Sequence, residues 1–330
     1  MDEVVYYSVL TFICFVLEIA YFKIAYKYNI IDKPNHRSAH TDITLRGGGI
    51  IFPLIFLLFL GIIFFNGSNE TSFQNYSIFG IGLLAISTIS FIDDVLNLSS
   101  KIRLVFHFVS VTLLLYFVHV FELLPIWGIP ILYIIIIGIL NAYNFMDGIN
   151  GMTGLYSLIT LGSLLYINQR IVVFTDDQFI IYPIIASLVF LFFNFRKKAK
   201  CFMGDVGSMG IAFWLLALLG LLILKTQDIK YILFLTIYGV DVMFTILERL
   251  KLKENIFEAH RRHLYQLFSN EKKVSHLIIS SVYAFIQLAI NLFVISSNFQ
   301  KFIIFALIIF PVSLIYILTK NYIKNTIPQK

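Results

Sequence analysis

The 330-residue chain is 59% hydrophobic and 13% charged, with a net charge of +6, against roughly 45–50% and about 25% in an ordinary soluble domain. Its length would suit about two soluble domains, but the apolar excess runs along nearly the whole chain and excludes a soluble globular enzyme. The scarce polar residues therefore carry the information.

A bilayer core of ~30 Å takes about 20 apolar residues per helix. Runs of that kind predict about eleven spans, over 4–26, 47–65, 76–92, 104–121, 129–143, 152–168, 178–195, 207–225, 230–248, 275–296 and 301–319. Unbroken apolar stretches such as 131–140 fit helices rather than the alternating strands of a barrel. The expected fold is all-α, a polytopic membrane bundle forming one domain over 1–330. The first run follows Asp2 and Glu3 instead of a basic segment and lacks a small-residue cleavage site, so it reads as a retained span.

Twenty of the 25 Lys and Arg fall on one side of an eleven-span chain, four on the other and one inside the first span. Because positively charged loops stay in the cytoplasm, the N-terminus is expected outside and the C-terminus inside. With the acidic residues included, the net charge divides into +9 on the cytoplasmic side and −3 on the other. Cys14 and Cys201 are too isolated to suggest a disulfide or a paired-cysteine metal site. The basic residues flank spans, which accounts for them without nucleic acid.

The cytoplasmic connections 28–46, 93–103, 144–152, 196–206 and 249–274 hold nearly every candidate chemical group. The first carries Arg37, His40 and Arg46 ahead of Gly47-Gly48-Gly49; cations and exposed amides at a helix start suit a phosphate, and a flexible helix entry equally. Asp93 and Asp94 close the third span, with Lys101 and Arg103 beyond. A carboxylate deep in a membrane costs about 2.5–3.5 kcal/mol, so the pair is a functional candidate, although a hydrated helix end would explain one of them. The fifth span leads into Asn141, Asn144 and Asp147, close to one helical face, and then Asn150. Two amides and a carboxylate there bind a hard cation or a polar ligand, or form a seam between helices.

The eighth span opens with Phe202-Met203-Gly204-Asp205-Val206-Gly207-Ser208. Asp205 there is either an N-cap or an oxygen ligand for a Mg²⁺-bound phosphate. The longest connection carries Arg249 and the run His260-Arg261-Arg262-His263-Leu264-Tyr265-Gln266. Two histidines without a third ligand make a poor zinc site, which leaves anion or sugar binding, or an interfacial helix with a basic face.

In order and placement, from about Asp32 to Gln266, these segments resemble the polyprenyl-phosphate N-acetylhexosamine-1-phosphate transferases, glycosyltransferase family 4. The resemblance implies a Mg²⁺-dependent enzyme, with Mn²⁺ as an alternative, that moves a sugar 1-phosphate from a UDP-sugar to undecaprenyl phosphate and releases UMP. It makes Asp205 the main metal ligand and Asn144 the second, sets Phe202 against the uracil, puts Asp147 and Asn150 in the nucleotide segment, and counts Asn141 among the substrate-binding residues. Asp93, Asp94 and His263 would be catalytic, and Lys101 or Arg103 would anchor the lipid phosphate. Arg37, His40, Arg46, His260, Arg261 and Arg262 would bind substrate. The site would face the cytoplasm from the bacterial inner membrane, among membrane lipids, with a homodimer left open. Many members end their last motif with His-x-His-His, whereas this chain has His263-Leu264-Tyr265-Gln266. That form resembles a branch that starts O-antigen or capsule synthesis, including transferases of 6-deoxy-N-acetyl sugars. Asp241 and Arg249 fit a family-like stretch, or a buried ion pair equally well. A secondary transporter is the alternative from another class, and would place its polar residues at midplane.

Overall fold

Lipid offers no hydrogen bonds to backbone groups, so a chain this apolar satisfies them within helices. The computed structural model describes residues 2–32, 43–67, 70–96, 98–255 and 260–326. Eleven long helices appear among them: α1 Glu3–Lys27, α2 Ile51–Phe65, α3 Glu70–Leu96, α4 Ser100–Phe117, α5 Gly128–Met146, α6 Met152–Arg170, α7 Asp177–Asn194, α8 Gly204–Thr226, α9 Thr236–Lys251, α10 His276–Ser296 and α11 Lys301–Asn325. They coincide with the eleven expected runs, with shifted ends. Most consequentially, α3 continues to Leu96 and α5 to Met146, so Asp93, Asp94 and Asn144 sit on helix rather than in loops.

Ten of these segments are long and apolar enough to cross a membrane. The exception is α6, whose 19 residues have the length but carry buried Thr153, Ser157, Thr160, Ser163 and Asn168. It can afford them because it lies inside the bundle, where α10 supplies partners. The Tyr156 hydroxyl donates to Gln287 Oε1 at 2.7 Å, Gln287 Nε2 to Asn291 Oδ1 at 2.7 Å, and Asn291 Nδ2 to Ser163 Oγ at 2.9 Å. A helix shielded from lipid in this way needs side-chain hydrogen bonds more than hydropathy. At the bundle's heart, Phe56 and Phe79 meet Trp214 edge-on with ring centroids 5.3 and 5.7 Å apart, and all three rings are fully buried.

The only strands among the described residues are a two-residue antiparallel pair, β1 Ile31–Asp32 and β2 Thr44–Leu45. They place Arg46 over the bundle end. From there the chain is stitched to the segment ahead of α8, because the Phe202 amide donates to Leu45 O at 2.7 Å, Gly48 N to Phe202 O at 2.8 Å and Gly49 N to Met203 O at 2.9 Å. Those bonds correct one expectation: the Gly48 and Gly49 amides are occupied by backbone carbonyls, so they do not cradle a phosphate. The glycines serve a close crossing instead. A Cβ on Gly49 would lie 2.2 Å from Gly207 Cα, and one on Gly207 would lie 2.4 Å from Gly49 Cα. Asn194, at the end of α7, braces the same end. Its Oδ1 accepts from the Gly151 amide at 2.6 Å and its Nδ2 donates to Cys201 O at 2.8 Å.

Candidate active site

α3, α5 and α8 each deliver a polar group to one end of the bundle. Asp94 on α3 is 1% exposed; its Oδ1 lies 2.7 Å from Arg46 Nη2, and its Oδ2 accepts from the Asp205 amide at 2.8 Å. That amide is available because Gly204 adopts φ +71° as α8 begins, a conformation side-chain-bearing residues disfavour. Asp205 is not the helix cap: Met203 holds that position and makes no side-chain capping bond. The Asp205 carboxylate instead interacts with the Asn144 side chain and lies 3.9 Å from Arg46 Nη2. Arg46 is thus shared by two carboxylates, and its own carbonyl accepts from the Tyr21 hydroxyl of α1. Charges this close interact far more strongly in a water-poor site than in bulk water.

The neighbouring Asp93 looks elsewhere. Its Oδ1 accepts from the Leu98 amide at 2.7 Å and its Oδ2 from Arg103 Nη1 at 2.8 Å, so it holds the turn into α4 and orients Arg103. Lys101 is exposed on the first turn of α4. On α5, Asn141 donates one turn back to Ile137 O at 2.8 Å. Asp147 follows the last residue of α5; burial pushes its carboxyl up to about 7, Thr153 opposes that by a hydrogen bond, and the charge of Asp205 adds to it.

Beside this cluster a cleft of about 680 Å³ is lined by Phe202, Asn150, Tyr26, Lys197, Lys198 and Lys200, among others. Asn150 is buried; its Nδ2 donates to Arg196 O at 2.8 Å, while its Oδ1 has no hydrogen-bond partner among the described residues. The cleft therefore offers an aromatic ring, an amide acceptor and three ammonium groups. In the sequence the three lysines read as positive-inside charge, and their position directly before the Phe202 motif is the signal that points to the cleft.

The histidine connection closes over the α5 end. The Tyr265 hydroxyl donates to Phe145 O at 2.9 Å, and the Gln266 side chain accepts from the His263 amide at 3.2 Å. The two residues that depart from the His-x-His-His pattern thus hold the loop in place. His260 lies against His263 with the rings tilted and their centroids 4.8 Å apart; burial, followed by the charge of His263 and Arg249, pushes it down to about 4. Arg262 joins Glu254 and Glu248, the latter also bound by Lys320 and Lys324 of α11. Arg261 is half-buried in the same loop. The proposed Asp241–Arg249 ion pair does not form, because Asp241 pairs with His263 at 3.2 Å and Arg249 with Glu254 at 3.4 Å. Each has a nearer partner of opposite character. Arg37 and His40 lie outside the described residues.

The structure thus gathers Arg46, Asp94, Asn144 and Asp205 at one point, sets Phe202 and Asn150 in the adjoining cleft, and leaves Asp93 with Arg103 at its edge. Known proteins are similar to this chain in sequence. A family model described as glycosyl transferase family 4 matches residues 76–224. A probable undecaprenyl-phosphate N-acetylglucosaminyl 1-phosphate transferase of Bacillus subtilis (strain 168) is 29% identical over 313 residues, covering 87% of this chain and 84% of that protein. An undecaprenyl-phosphate alpha-N-acetylglucosaminyl 1-phosphate transferase of Thermotoga maritima is 26% identical, covering 75% of each. A phospho-N-acetylmuramoyl-pentapeptide-transferase of Dictyoglomus turgidum is 32% identical over 183 residues, covering 50% of this chain and 55% of that protein. The matched region takes in α3 with Asp93 and Asp94, α5 with Asn144, and α8 with Asp205, so across the residues of the site the chain is similar to glycosyl transferase family 4.

Proposed function

We propose that this protein transfers a sugar 1-phosphate from a UDP-sugar to undecaprenyl phosphate, releasing UMP and leaving a lipid-linked diphosphate sugar that starts a cell-surface glycan. One observation carries the reading: an arginine, two carboxylates and an amide converge at the membrane end of three helices, beside a cleft with the groups a uridine nucleotide needs. The names of the relatives support undecaprenyl phosphate as acceptor. We take the donor sugar to be an N-acetylhexosamine or its 6-deoxy form, and the site to face the cytoplasm.

A phosphate monoester has a second pKa near 6 and is largely dianionic at pH 7, so the acceptor needs little help from a base. Its non-bridging oxygen attacks the phosphorus that carries the sugar. The bond from that phosphorus to the oxygen bridging to the uridine phosphate breaks, and UMP leaves with the electron pair. The obstacle is repulsion between two anions, which positioned cations offset. Arg46, oriented by Asp94, faces that charge, and Arg103, oriented by Asp93, meets the lipid phosphate as it arrives along α4. Phe202 stacks on the uracil, the free Asn150 Oδ1 accepts its ring N–H, and the cleft lysines bind the diphosphate.

Asp205 and Asn144 offer two hard oxygen donors, and among the described residues no group of three or more His, Cys, Asp or Glu is arranged to hold a metal. That donor set fits Mg²⁺, which takes one or two protein ligands and fills its remaining sites with water and phosphate oxygens; Mn²⁺ is the alternative. When bound, the ion would neutralise the donor's diphosphate.

The test is to incubate the purified protein with undecaprenyl phosphate, Mg²⁺ and a panel of UDP-sugars and measure UMP. Release with at least one N-acetylhexosamine donor is expected, and this Mg²⁺-dependent release should be lost in Asp205→Asn. No release from any donor would overturn the reading and favour transport. Transport has less support here, because Arg46, Asp94, Asn144 and Asp205 gather at helix ends rather than at midplane.

A further inference from the structure

The groups around Asp241 form a second constellation that the reaction as described leaves unused. Asp241 lies on α9 with its side chain 1% exposed, and His263 is 2% exposed. Asp241 Oδ2 accepts from the Tyr283 hydroxyl of α10 at 2.8 Å. Oδ1 accepts from the Leu264 amide at 3.0 Å and the Tyr316 hydroxyl of α11 at 3.2 Å, with Thr245 Oγ1 at 3.4 Å. The Tyr316 hydroxyl in turn receives Lys320 Nζ at 2.8 Å. Every one of these partners is a donor, and an ionised carboxylate can only accept. The fifth partner, His263 Nδ1 at 3.2 Å, must therefore carry the ring proton on that nitrogen. His263 Nε2 is buried with no hydrogen-bond partner among the described residues. Leaving a buried nitrogen unpaired is unfavourable, and a group left unsatisfied beside a binding site is one that a ligand completes. The His263 ring stacks against Tyr265 at 5.8 Å, and Tyr265 is bonded to Phe145, the neighbour of Asn144.

We propose that Asp241 is the positioning residue for His263: it holds the Nδ1 proton and thereby makes Nε2 the nitrogen that engages the substrate. The proposal rests on the transferase reading for the catalytic role of His263. The relation is that of a carboxylate that fixes an imidazole's tautomer and orientation without itself exchanging protons. The anchoring groups come from every packed element: Thr245, Glu248 and Arg249 from α9, Tyr283 from α10, Tyr316 and Lys320 from α11, and His260 and Tyr265 from the loop itself.

The test uses the full chain in lipid bilayers with ¹⁵N-labelled histidine, His263→Asn serving to assign the His263 signals. The wild type should show protonated Nδ1 at His263. Asp241→Asn presents an amide N–H to Nδ1, so the proton should move to Nε2, and kcat for UMP release should fall at least about 100-fold with KM for the donor changed only a few-fold. Tyr283→Phe keeps the carboxylate, so it should keep the tautomer and lose much less kcat, which guards against a variant that merely misfolds. An unchanged tautomer in Asp241→Asn, or full kcat per folded molecule, overturns the proposal. Absence of UMP release from the wild type would instead refute the transferase reading, while the tautomer measurement still decides the role of Asp241.

Discussion

Asp93 and Asp94 are adjacent in sequence, yet successive helical positions point about 100° apart, and the two carboxylates have different partners. Asp94 fixes Arg46 and the Asp205 amide, so Asp94→Asn should lower kcat by about 100-fold, the scale of a small misplacement at a reacting centre. Asp93 fixes Arg103 and the turn into α4, so Asp93→Asn should act mainly by raising KM for undecaprenyl phosphate. Steady-state UMP release with each substrate varied separates the two, and equal kcat losses in both variants would refute the division. His260 offers a residue-scale test of stability. An unfolded histidine takes up a proton near pH 6.5, whereas burial holds folded His260 neutral down to about 4. The folded state should therefore lose stability as pH falls from about 6.5 toward 4. His260→Gln should flatten that slope, as read from thermal unfolding midpoints at pH 7.5 and pH 5.

At the scale of elements, the site depends on how closely α8 can approach the chain ahead of α2. Gly207→Ala would push a methyl to 2.4 Å from Gly49 Cα, and backbone cannot yield as a side chain can. Overpacking costs about 1–3 kcal/mol even where neighbours can shift, so the variant should lower the unfolding midpoint clearly, while Gly239→Ala, with open space around its Cβ, should not. The helices themselves were legible in the sequence because lipid leaves an apolar run one solution. Their ends were less so: α3 stays helical through Asp93 and Asp94, where hydropathy has already fallen, and α6 hides its polar residues against Gln287 and Asn291. The site was legible as a set of motifs but not as a geometry. Nothing in Gly47-Gly48-Gly49 distinguishes an anion cradle from a backbone crossing, because both need the missing side chain. The Asp241–His263 pair joins residues 22 apart on different elements, which no local pattern announces.

For the whole molecule, charge gives a prediction that geometry does not. The contacts of Arg46 with Asp94, of Asn150 with Arg196 and of Tyr265 with Phe145 bring the expected loops to one end of the bundle. With 20 of 25 Lys and Arg on the corresponding side of the chain, that end should face the cytoplasm. The placement also suits the chemistry, since each substrate would meet the site where a membrane surface and nucleotide-bearing water adjoin. Cysteine labelling in intact cells tests it with little background, because Cys14 and Cys201 are both fully buried, and burial together with the neighbouring Glu18 pushes the Cys201 thiol up, away from its reactive thiolate. Val173→Cys, at a position 70% exposed between α6 and α7, should react with a membrane-impermeant maleimide added outside. Lys251→Cys, exposed at the end of α9, should react only after the membrane is opened. The reverse pattern would invert the bundle and turn the site away from the nucleotide pool that the proposed reaction requires.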